Sequence, residues 1–104
     1  MMKIYNKVIR DNIPEIIMKN GMKYEIRELD DQTFLEGLKE KLNEEIDEFK
    51  AEEDVEELAD LLEVVFAIAR LKGVSKDQLE EIQKKKEVTN GGFHKNLFLV
   101  KTYE

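Results

Sequence analysis

The chain has 104 residues, 39% charged and 41% apolar, with a net charge of −7 and no cysteine. That length makes one domain, residues 1–104, with a modest core. The charge speaks against nucleic-acid polymers and membrane surfaces as partners, and the missing cysteine excludes disulfides, thiolate metal sites and a cysteine nucleophile.

From the N-terminus, MMKIYNKVIRDNIP carries no apolar run of signal-peptide length. The longest apolar stretch, LLEVVFAIA, is interrupted by Glu63 and is too short to span a bilayer. A cytoplasmic location is therefore expected. Asn12 followed by Glu15 reads as a capping box with Pro14 in the first turn, and Asn20-Gly21 ends this short first helix. KYEIREL alternates, imperfectly, with strand period.

A long helix starts near Asp31 to Thr33 and runs to about Ala51, with Phe34, Leu35, Leu38, Leu42, Ile46 and Phe49 at helical spacing. Asp54 with Glu57 opens a third helix at Val55, which Gly73 ends. Ser75 with Gln78 opens a fourth, through Leu79 and Ile82 to Lys84–Lys86. Asn90-Gly91-Gly92 is a turn, and Leu97 to Val100 is a β-prone run that could pair with Tyr24 to Glu28. Phe66 and Phe93 read as core. The expected fold is all-α, a bundle of about four helices with at most one small two-stranded antiparallel sheet.

Between Asn43 and Glu63, eleven of 21 residues are acidic. Most, including Glu44, Asp47, Glu52, Glu53 and Glu56, read as solvated charge. Glu45 does not, because at about 100° per residue it falls within about 50° of the centre of the apolar stripe. Glu48, one turn on, lies at the stripe's margin. In the third helix Asp60 shares a face with Val64, Ala67 and Leu71, one turn after Glu57. A hairpin near residue 53 brings Glu45, Glu48, Glu57 and Asp60 across one groove. Carboxylates held there either bind protons or hold a cation, and an all-oxygen set suits Mg²⁺ or Mn²⁺. The plainer readings are an acidic helix face and Glu57 as the capping-box partner of Asp54.

Lys41 to Glu48 (K-L-x-E-E-x-x-E) and Glu56 to Leu62 (E-E-L-A-D-L-L) resemble the all-α, MazG-like nucleoside triphosphate pyrophosphohydrolases, a superfamily with the dimeric dUTPases and phosphoribosyl-ATP pyrophosphohydrolase among its members. Tyr5 to Ile17 and Lys86 to Phe93 are similar to a short phosphoribosyl-ATP pyrophosphohydrolase-like subgroup. Two features depart from the pattern: only eight residues separate Glu48 from Glu57, and Asn90 stands where Arg is expected.

The resemblance implies a MazG-like bundle and a house-cleaning hydrolase. It implies Mg²⁺ (or Mn²⁺) on Glu45, Glu48, Glu57 and Asp60, with pyrophosphate released from a small nucleotide. Glu48 is the candidate general base, and Lys7, Arg10 and Lys86 are candidate phosphate contacts. His94 and Lys95 are possible substitutes for the missing Arg. The alternative is a non-catalytic metal- or nucleotide-binding module for dimerisation or sensing. The third helix is apolar on more faces than one short chain covers, so a homodimer or dimer of dimers is expected.

Overall fold

The computed structural model describes residues 2–104. Four helices make up its regular structure: α1 (Ile13–Lys19), α2 (Asp31–Glu52), α3 (Val55–Leu71) and α4 (Lys76–Asn90). The described residues are all-α, and none forms a strand. No helix is long and apolar enough to cross a membrane.

Local chemistry sets most of the boundaries. The Asp30 side chain accepts from Thr33 N–H at 2.8 Å, satisfying one of the free donors at the start of α2. Ser75 and Gln78 form the full capping box expected for α4. That helix runs past the lysines to Asn90 and stops at Gly91, whose φ of 84° favours glycine.

Two capping expectations are corrected. Asn12 precedes α1 without a side-chain cap, because its own backbone is already helical (φ −90°, ψ −2°). Asp54 caps α3 through Glu56 N–H at 3.1 Å, which leaves the Glu57 carboxylate out of any capping box.

The α2–α3 hairpin turns over two residues. Glu53 takes the left-handed conformation (φ 55°) and donates its N–H to Phe49 O, and Asp54 is already the N-cap of α3. The two helices pack antiparallel around buried Leu38 and Val64, with Phe34, Leu42, Ala67, Ile68 and Leu71 against them. The N-terminal segment supplies the third buried apolar residue, Val8. It seats over Gly37 of α2, where a Cβ would collide with Val8 Cγ1. That seating brings Lys7 and Arg10 to the hairpin.

The expected two-stranded sheet is absent. Residues 22–30 and 93–104 are irregular, and Tyr24, Ile26, Leu97 and Val100 all remain exposed. A lone two-stranded ribbon is marginal unless it packs on a core, and neither segment does so. Phe93 is also corrected, being fully exposed rather than core. Phe66 is half-buried at the rim of the groove described below.

The seating of Val8 can be tested with Gly37→Ala. Removing a mid-helix glycine favours the helix by about 1 kcal/mol. Overpacking a stiff β-branched neighbour costs about 1–3 kcal/mol. Chemical denaturation is expected to show a net loss of stability.

Candidate metal centre

The buried face of α2 carries one acidic residue. Glu45 follows Leu38 at seven residues and so returns to the same side of the helix. It is 6% exposed, close to the value for the apolar core residues. On α3, Glu57 and Asp60 precede buried Val64 by seven and four residues and share its face. Antiparallel packing joins the two faces. One carboxylate oxygen from each of Glu45, Glu57 and Asp60 lies within 4.8 Å of the others.

No donor reaches Glu45 Oε2 or Glu57 Oε2, although both atoms are shielded from water. Unpaired buried acceptors are uncommon and costly, and more so when charged. Burial pushes the Glu45 carboxyl above its ordinary range, Glu48 and Asp60 push it further, Lys41 opposes them, and Glu44 adds a smaller push upward. Glu57 is pushed up to about 7, first by desolvation, then by a proton shared with Glu48, then by the charges of Glu48, Asp60 and Glu52. The site therefore holds excess proton affinity that a divalent cation could replace.

Glu48 is exposed and lies against Glu57 rather than inside the close triad. Glu44 pairs with Lys7 at 3.3 Å and shares Lys41, at 3.9 Å, with Glu45. Arg10 donates to Asp60 Oδ1 at 2.7 Å. Lys7 and Arg10, from the N-terminal segment, thus both reach acidic residues of the hairpin. Lys86 does not line the groove and is exposed on α4. His94 and Lys95 belong to the exposed C-terminal segment.

Beside the triad an open groove of about 390 Å³ runs between the N-terminal segment, α2, α3 and the start of α4. Its apolar wall includes Val8, Phe34, Leu38 and Phe66, and its charged rim includes Arg10, Lys41, Arg70 and Lys76. The volume falls in the range of small-molecule sites.

Three of those cations were not singled out from sequence. Lys41 had a legible signal, standing four residues before Glu45, with their charged atoms 3.8 Å apart. Arg70 reads equally well as a helix C-terminal charge. Lys76, whose Nζ lies 5.0 Å from the centre of the Phe66 ring, gave no signal at all.

Comparison with known protein families, curated proteins and solved structures finds no match to this chain.

The raised Glu57 carboxyl predicts a pH dependence. A group whose pKa is higher folded than unfolded contributes stability that is fully present below its unfolded value near 4.5. That contribution fades as pH rises through about 7. With chelator present, the thermal midpoint is expected to fall over this interval. Mg²⁺ or Mn²⁺ is expected to reverse the fall, and Glu57→Gln to flatten it.

Proposed function

We propose that the protein is a Mg²⁺-dependent nucleotide pyrophosphohydrolase. It would cleave between the α and β phosphates of a nucleoside triphosphate or a phosphoribosyl-ATP-like substrate. The observation that carries this reading is the convergence of Glu45, Glu57 and Asp60, with two shielded and unpaired oxygens, at the edge of a cation-rimmed groove. The resemblance of the two acidic motifs to the MazG-like hydrolases supplies the reaction class.

The donor set fits a hard divalent cation, because every ligand is a carboxylate oxygen and two of the three carboxylates carry a shielded oxygen with no proton donor. Glu45, Glu57 and Asp60 would hold it, with Glu48 beside them. When bound, the cation neutralises phosphate charge and acidifies a coordinated water.

The chain's own groups do the rest. Glu48, outside the close triad and open to solvent, accepts the proton of the attacking water at its carboxylate. Water oxygen bonds to the α phosphorus, the bond from that phosphorus to the bridging oxygen breaks, and pyrophosphate leaves with the oxygen. Arg10 and Lys41, which line the groove beside the triad, would meet phosphate oxygens, and Arg70 and Lys76 would meet anionic groups further along it. The wall of Val8, Phe34 and Phe66 offers the apolar surface that a base or sugar needs.

A second reading also has an observation behind it. Arg10 and Lys41 already offset part of the acidic charge, as they would in a module that holds a cation only for structure. In that case metal would stabilise the fold without turnover.

Pyrophosphate release from a panel of nucleoside triphosphates and phosphoribosyl-ATP separates the two. Release is expected with Mg²⁺ or Mn²⁺ and not with chelator. Glu48→Gln is expected to lower kcat by about 100-fold or more, the scale of a lost general base. Arg10→Ala is expected to lower kcat/KM, and Lys86→Ala to leave it within about twofold, a change below 0.5 kcal/mol. Metal-dependent stabilisation with no release from any substrate would overturn the enzymatic reading in favour of the structural one.

A further inference from the structure

One contact in the groove sets a fixed cation against the triad itself. Arg10 donates to Asp60 Oδ1 at 2.7 Å. Among the described residues it is the one cation hydrogen-bonded to a triad carboxylate, since Lys41 stays 3.8 Å from Glu45 and Lys7 bonds Glu44 instead. Asp60 therefore serves two partners. It is one of three carboxylates able to share a metal ion, and it is the counter-ion of an arginine.

These two roles conflict. A divalent cation shared by Glu45, Glu57 and Asp60 would lie close to the guanidinium, and like charges at short range repel. The arginine is the weaker claimant. The two side chains of the pair are 52% and 45% exposed, and their contact is one N–H to one oxygen. Exposed pairs contribute little, and the strong form of an arginine–carboxylate pair is the two-point fork. On the other side of the triad Glu45 is buried, with an oxygen that no donor reaches. That oxygen is satisfied by a cation and not by Arg10.

The backbone around Arg10 lets its side chain move alone. Val8, two residues earlier, is buried over Gly37, and Lys7 pairs with Glu44 at 3.3 Å. On the other side, Ile13 N–H donates to the Arg10 carbonyl at 3.2 Å, where α1 begins. The main chain is tied before and after Arg10, while the guanidinium ends a stem with many rotamers that lines the groove. Released from Asp60, it stays at the groove.

We propose that Arg10 and the metal ion exchange places on Asp60. Arg10 holds the carboxylate in the metal-free protein, and the arriving cation displaces the guanidinium into the groove, where its N–H groups are free for an anion. This inference rests on the metal centre proposed above. It makes Arg10 and the metal competitors, so by linkage an anion that captures Arg10 favours the metal, and the metal in turn makes Arg10 available to phosphate.

Mn²⁺ titration of the full chain, with free ion read by electron paramagnetic resonance, tests the competition without turnover. Arg10→Ala is expected to lower the Mn²⁺ dissociation constant about two- to fivefold, the range an exposed pair supplies. Metal binding and kcat/KM then move in opposite directions in one variant. An arginine that merely orients Asp60 for the metal gives the other sign, because its removal weakens binding. Equal or weaker binding by the variant therefore overturns the exchange and leaves the metal centre standing. Absence of Mn²⁺ binding by either protein overturns the centre, and the exchange with it. A second readout uses the unchanged chain. By NMR, the guanidinium protons of Arg10 are expected to exchange with water faster at saturating Mg²⁺ than with chelator, while those of exposed Arg27 keep their rate. An Arg10 rate that is unchanged or slower with Mg²⁺ overturns the proposal.

Discussion

Glu45, Glu57 and Asp60 are held together against their own repulsion, and that constraint organises the rest of the molecule. Three carboxylates with oxygens within 4.8 Å of one another, two of them also carrying a shielded oxygen without a donor, do not assemble unless something else drives the packing. The driving surface is the apolar contact between α2 and α3 around Leu38 and Val64. Because Glu45 and Asp60 occupy positions in those same faces, the core cannot form without bringing the acids together.

The short turn makes the arrangement strict. Glu53 accepts a left-handed backbone so that Asp54 can begin α3 at once. A residue with a side chain costs about 1 kcal/mol or more in that conformation. With no slack in the connection, the register of the hairpin is set by the turn, and so is the pairing of Glu45 and Glu48 with Glu57 and Asp60. The N-terminal segment then adds countercharge, since the absence of a side chain at Gly37 lets Val8 dock and places Arg10 on Asp60. Arg10, Lys41, Arg70 and Lys76 thus share the groove with Asp11, Glu45, Asp60 and Glu63.

The same economy leaves much apolar surface exposed. Three apolar residues are buried among the described residues, alongside one acid. α4 packs on α3, yet Val55, Leu58 and Leu62 on its outer face remain exposed. The hairpin that builds the acidic site thus presents an apolar face on its reverse side.

The sequence by itself determined the helices and the faces on which Glu45 and Asp60 lie. Capping residues at Asp54 and Ser75 and apolar spacing through α2 and α3 are local signals, and the angle between Glu45 and Leu42 follows from helix geometry alone. It misjudged residues 22–30 and 93–104, because β propensity expresses itself only where a partner and a core exist to receive it. It also read Phe93 as core, since apolarity does not say which surface a residue meets. Only the tertiary structure decided that Glu48 stands outside the close triad, that Arg10 reaches Asp60, and that Lys41, Arg70 and Lys76 share a groove while Lys86 does not. These contacts join residues from separate segments, and their distances depend on how helices and termini pack rather than on any spacing along the chain.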